Sequence, residues 1–193
     1  MKKLAILLVC LIIIGIGINF IYREIEKEKG RAHEFSKWKE FIPQSKMFKV
    51  RLPNLPQYGN DLKEIPGSEH KRHYAIYAAE KINGTLFLID VITYPPEVDV
   101  SSSEDLLNNN LRDFMQGKTN NELKKTLHGV FDTYRSIDFS FNNDEYEIEG
   151  KSIHNGQVVY ILSYVTKKDE MDESEYKYFI DSFHIQHSGG SEK

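Results

Sequence analysis

Two Asn-Gly dipeptides, Asn83-Gly84 and Asn155-Gly156, each stand between runs rich in β-branched and aromatic residues. Glycine reaches positive φ without a steric penalty and asparagine tolerates it, so Asn-Gly between such runs reads as a hairpin turn. Two hairpins commit the chain to antiparallel sheet. The first joins His73–Glu80 to Thr85–Tyr94. In its second strand Phe87, Ile89 and Val91 alternate with Leu86, Leu88, Asp90 and Ile92. Both faces are apolar apart from Asp90, which places this strand centrally in a sheet. The second hairpin joins Tyr146–Ile153 to Gln157–Thr166. Glu147, Glu149 and Lys151 mark a wet side of the first of these strands.

Other segments fit around this frame. Met47–Leu52 is a short strand stopped by Pro53, and Asn54–Ser68, with Pro56, Gly59, Pro66 and Gly67, reads as a loop. Ser101–Ser103 offer caps for a helix over Glu104–Gln116, where Leu107, Leu111, Phe114 and Met115 form one apolar stripe. Glu122–Leu127 is a further strand. Tyr134–Phe141 alternates Ile137, Phe139 and Phe141 against Tyr134, Ser136, Asp138 and Ser140. A last helix spans Ser174–Asp181. Strands first, then helix, then a run of antiparallel strands and a closing helix define an α+β fold around a twisted antiparallel sheet.

The N-terminus belongs to a different class. Leu4–Tyr22 holds 19 residues without a charge, about the length needed to cross a bilayer core as a helix. Val9 ahead of Cys10 does not make a lipoprotein signal. Gly15 and Gly17 could serve as the small residues of a cleavage site, but Ile18, Asn19, Phe20 and Ile21 continue the run without a polar break. The segment reads as an uncleaved signal anchor, a single-pass transmembrane helix in the cytoplasmic membrane. Lys2 and Lys3 hold the N-terminus inside, whereas Arg23, Lys27, Lys29, Arg31, Lys37 and Lys39 argue for a cytoplasmic flank on the other side. An N-terminal segment acting as its own export signal is the commoner arrangement, which puts the domain on the extracytoplasmic side. Arg23–Phe41 is charged and helix-compatible, a stalk ended by Pro43.

The chain carries 25 basic and 29 acidic residues, a net charge of −4. Without Lys2 and Lys3 the count is 23 basic against 29 acidic, which excludes the basic face of a nucleic-acid binder. Cys10 is the single cysteine, so the part beyond the anchor has no disulfide, cysteine zinc site or thiol nucleophile.

Certain phrases resemble the PsbP-like superfamily, which includes many bacterial envelope proteins. They are Phe48-Lys49-Val50-Arg51-Leu52-Pro53, Tyr94-Pro95-Pro96, Val159-Tyr160-Ile161-Leu162 and the closing Phe179-Ile180-Asp181-Ser182-Phe183-His184-Ile185. The resemblance spans Phe41–Ile185. It implies an α/β/α sandwich and an accessory or binding role, and it brings no catalytic residues. The expected organisation is an anchor at 1–22, a charged helical stalk at 23–42, the PsbP-like α+β domain at 43–186 and a flexible tail at 187–193.

His70 and His73 flank Lys71-Arg72 ahead of a strand, where positions three apart face opposite ways. They are read as surface histidines, and no metal or cofactor is expected. Asp90 is a carboxylate within an apolar strand, with a structural reading ahead of an acid/base one. Asp138, Glu145, Glu147 and Glu149 read as a solvated face, and Asn83-Gly84-Thr85 as a turn rather than a glycosylation site. The candidate recognition surface is Tyr134, Tyr146, Tyr160 and Tyr164, although tyrosine is also an ordinary strand former. The expected function is a membrane-anchored, exported, non-catalytic binding or accessory domain of the bacterial cell envelope, with a protein or envelope partner. The alternatives are a hydrolase whose acid/base pair, with Asp90 as a candidate member, assembles only in the fold, and a small-ligand carrier with a tyrosine-lined groove.

Overall fold

The computed structural model describes residues 26, 28–116 and 121–186. The anchor run Leu4–Tyr22 and the tail 187–193 lie outside the described residues. No helix among the described residues is long and apolar enough to cross a membrane. The chain divides into two compact units, Met1–Trp38 and Lys39–Lys193.

In the first unit residues 28–35 form helix α1. Ser36 Oγ donates to His33 O at 2.7 Å as the helix ends, and the Phe35 and Trp38 rings meet edge-on at 5.7 Å. The stalk was expected to stay helical to Phe41. Instead Lys39–Phe41 is strand β1 and pairs antiparallel with β2 (Phe48–Leu52), Phe41 opposite Val50. The second unit therefore starts at Lys39, ahead of the expected boundary at 43. Lysine, glutamate and phenylalanine suit a charged helix as readily as an edge strand, so local sequence did not separate the two.

The second unit is α+β, as expected. Its main sheet has seven antiparallel strands in the order β3-β4-β5-β9-β8-β7-β6. These are β3 (Gln57–Glu64), β4 (Lys71–Glu80), β5 (Leu86–Thr93), β6 (Glu122–Phe131), β7 (Tyr134–Asn142), β8 (Tyr146–Asn155) and β9 (Val158–Lys167). Helix α2 (Ser103–Gln116) carries the chain from β5 to the far edge at β6, and a meander then returns it until β9 pairs with β5. Helix α3 (Glu173–Ser182) and the two-residue strand β10 (His184–Ile185) close the chain, β10 joining β2.

Both expected hairpins form. Gly84 has φ +88° and Gly156 φ +56°. The first turn is longer than a two-residue turn: Glu80 pairs with Leu86, and Gly84 N donates to Lys81 O at 2.9 Å within the intervening loop. The expected loop Asn54–Ser68 is wrong in its middle, because Gln57–Glu64 is the eight-residue edge strand β3. Every residue of it is exposed. A strand wet on both faces shows no period-two apolar pattern, which is why the sequence hid it. β6 likewise runs past Leu127 to Phe131, turning into β7 at Asp132, whose φ is +52°.

Period-two alternation gives the sheet two apolar faces. On one, Ile137, Phe139, Phe141, Ile148, Val159, Ile161 and Val165 pack with Leu107 and Leu111 of α2. On the other, Phe87 meets Tyr164 at 5.1 Å and Phe179 of α3 at 5.4 Å, while Phe48 of β2 meets Phe183 at 5.3 Å and Tyr77 at 5.4 Å. Here α3 shares its layer with the three-stranded sheet β1-β2-β10.

Candidate functional site

α2 is fastened along its length. Ser102 O accepts from Leu106 N at 3.0 Å and Ser102 Oγ donates to Asp105 Oδ2 at 2.6 Å. His154 of β8 holds the same end. Its Nε2 donates to Gly156 O at 2.6 Å, and its Nδ1 is hydrogen-bonded with Ser103 Oγ at 2.8 Å. Leu107 and Leu111 are buried, and so is Asn110, at 1 % exposure within the apolar stripe.

Asn110 is there because of Arg72. Arg72, 6 % exposed, sits on β4 in phase with Tyr74 and Ile76 and points under α2. Its Nη1 donates to Tyr94 Oη at 2.8 Å and Asn110 Oδ1 at 3.2 Å, and Nη2 donates to Asp113 Oδ2. Tyr94 Oη donates to Asn110 Oδ1 at 3.0 Å, and Asn110 Nδ2 to Leu106 O at 2.8 Å. Burial pulls the Arg72 pKa down, but the hydrogen bonds to Asp113 and Tyr94 outweigh it and hold the guanidinium above its ordinary value. The Tyr74 phenol is pushed up to about 12 by burial, against the opposing pull of Arg72.

Beside this network lies a half-open cavity of about 620 Å³ between α2 and strands β3, β4, β5 and β9, within the usual size of small-molecule sites. Ile76, Leu88, Ile92, Ile161 and Phe114 make its apolar wall, with Tyr74 and Asp90 set among them. Asp90 is 7 % exposed. Lys63 stands over the Tyr74 ring at 4.3 Å. No serine, cysteine or histidine lines the cavity. A second, more open groove of about 740 Å³ runs along the opposite flank of α2 past Asn108, Asn109, Arg112 and Thr126.

The four tyrosines read as a recognition surface differ in burial. Tyr160 and Tyr164 are each 1 % exposed, in the core against Phe183 and Phe87. Burial pushes the Tyr160 phenol up to about 12 and raises Tyr164, beside Glu175, as well. Tyr146 is 37 % exposed and Tyr134 half-buried. A strand's alternation sends half its residues inward, and here Tyr160 and Tyr164 took the inward phase. The acidic strand face is also less wet than expected. Lys151 pairs with Asp138, and burial followed by Glu173 raises the Glu149 pKa. His70 and His73 are exposed on either side of Lys71-Arg72, and the described residues hold no group of three metal-ligating side chains.

The sequence singled out Asp90 but missed Arg72, Asn110 and Asp113. Asn110 carries the one signal available, a polar residue inside the Leu107–Leu111–Phe114 stripe.

The second unit defines a PsbP-like fold. The cyanobacterial PsbP protein (CyanoP) of Synechocystis sp. PCC 6803 matches with a TM-score of 0.52 at 13 % identity, covering 77 % of this chain and 92 % of that one. A Pseudomonas aeruginosa protein of unknown function, PA94, matches with a TM-score of 0.37 at 8 % identity, over 73 % and 90 % of the two chains. No protein-family model and no curated protein matches the sequence.

Proposed function

We propose that the protein is a membrane-anchored, exported, non-catalytic binding domain of the bacterial cell envelope, and that its binding site is the cavity beside α2. The carrying observation is the state of that cavity's polar end. Arg72, Tyr94, Asn110 and Asp113 hydrogen-bond one another, and of their buried polar side-chain atoms only Arg72 Nε is without a partner, so they form a fixed wall rather than groups poised to move protons. The cavity lining has no serine, cysteine or histidine, and its one amine, Lys63, stands over the Tyr74 ring. The apolar remainder is what a bound small ligand would cover. Anchoring and export rest on the uncharged run Leu4–Tyr22, and the accessory role is in keeping with the PsbP-like fold.

The hydrolase reading draws on one observation, that Asp90 and Asp113 line the same cavity. Asp113 is committed to Arg72, which argues against a working pair. Protease added to intact spheroplasts tests the placement. The domain is expected to be cut while the cells are whole, leaving an N-terminal fragment in the membrane. Protection until lysis overturns export. Turnover of chromogenic ester, glycoside or phosphoester substrates that disappears in Asp90→Asn would overturn the non-catalytic reading.

A further inference from the structure

We propose that the corner of the sheet carrying Leu55 and Ile82 docks on the bilayer that holds the chain's own N-terminal run, with both side chains set among the lipid headgroups. The inference rests on the reading of Leu4–Tyr22 as a membrane anchor, and it holds on either side of the membrane. Ile82, in the β4–β5 turn, is fully exposed, and Leu55 is 76 % exposed. One exposed apolar side chain is ordinary, but here two are brought to one place. Asn54 Nδ2 donates to Glu80 O at 2.7 Å, which ties the loop before β3 to the last residue of β4. Leu55 and Ile82 then line one depression with Asn54, Ala78 and Leu86.

The chain enters the second unit at the same corner. That unit starts at Lys39, which pairs with Leu52, just ahead of Pro53 and Asn54. Residues 23–38 are about 24 Å long as a helix, whereas β4 runs about 33 Å. So short a tether brings the Lys39 end of the sheet to the bilayer before the far end. The tips of the far turns, Pro66-Gly67-Ser68, Asp132-Thr133 and Gly156-Gln157, carry no large apolar side chain. At the near end the β7–β8 turn carries Asp144 and Glu145, which favour water over lipid, so the contact is confined to the β4–β5 corner. Lys81 there is paired with Glu175, and Lys39 is followed by Glu40. The corner therefore offers anionic lipid no net positive charge, and the apolar side chains carry the contact. Lys63, Glu64 and Pro66 of the cavity beside α2 lie toward the far end, so docking leaves that end of the cavity facing away from lipid.

The test uses the full-length protein in phosphatidylcholine vesicles containing a nitroxide-labelled lipid, which quenches a fluorophore that enters either leaflet. The fluorophore NBD is attached to one cysteine at a time: native Cys10, or Ile82→Cys or Ser68→Cys in a Cys10→Ser background. Quenching at position 82 is expected to be at least twofold, with none at position 68 on the far β3–β4 turn. Leu55→Asp, at an exposed position, is expected to abolish the quenching at position 82 with circular dichroism unchanged. Three results overturn the docking and leave the anchor standing: quenching at Cys10 without quenching at position 82, equal quenching at positions 82 and 68, or quenching at position 82 that survives Leu55→Asp. A fluorophore on Cys10 that escapes quenching overturns the anchor, and the docking with it.

Discussion

Gly150 shows how one residue constrains the sheet. It pairs with Phe139 on one side and Ser163 on the other. A Cβ there would lie 2.3 Å from Phe139 Cζ and 2.5 Å from Leu162 O. The Phe139 ring lies across the position where a side chain would stand, so the glycine serves close approach rather than a turn. Phe139 in turn stacks on Phe141 at 5.9 Å and meets Phe114 of α2. Gly150→Ala is expected to destabilise by about 1–3 kcal/mol, the usual cost of overpacking. Gly129→Ala on edge strand β6 is the matched control, because the nearest atom to its Cβ is Ser136 Oγ at 3.8 Å. It should change stability by less than about 0.5 kcal/mol. Urea unfolding of both variants decides the matter, and equal midpoints would contradict the packing argument.

At the scale of elements, α3 is set by its first turn. Asp172 caps it by accepting from Ser174 N at 2.9 Å and Glu175 N at 3.3 Å. Glu175, 6 % exposed, then accepts from Tyr164 Oη at 2.9 Å and pairs with Lys81 at the β4–β5 turn. Losing the cap therefore disturbs a buried link as well as a helix end. Asp172→Ala should cost about 1 kcal/mol, and Asp172→Asn, an equally good cap, only a few tenths. Denaturant midpoints for the pair check this, and an Asn variant as damaged as the Ala variant would assign the role to charge instead. The strands with one buried face were legible because alternation announces burial. Tyr134–Asn142 stood out for that reason, and Leu86–Thr93 and Val158–Lys167, buried on both faces, stood out as continuous apolar runs. β3 was not legible, since neither of its faces is buried, and β1 was not because three residues carry no period. Arg72 illustrates the limit for the site. Its partners Asn110 and Asp113 lie 38 and 41 residues away on a helix, and only the crossover from β5 to β6 brings them over it.

For the whole molecule, five of the tyrosines record the two-sided sheet. Of eleven tyrosines, Tyr74, Tyr77, Tyr160, Tyr164 and Tyr176 have pKa values raised above the ordinary phenol, in each case chiefly by burial. They are spread over both faces: Tyr74 belongs to the cluster under α2, while Tyr77 and Tyr160 meet Phe48 on the other side. A group whose folded pKa lies above its unfolded one binds its proton more tightly in the native state. Its contribution to stability is complete below the unfolded value, near 10 for tyrosine, and is lost as pH rises through the folded value. Five such groups acting together make the domain vulnerable to alkali as a unit. Absorbance of phenolate near 295 nm, followed alongside far-ultraviolet circular dichroism, should show these five ionising only as the sheet signal collapses, in one cooperative step well above pH 10. Phenolate absorbance from all eleven rings with the sheet signal intact would mean that the two layers do not seal the sheet as described.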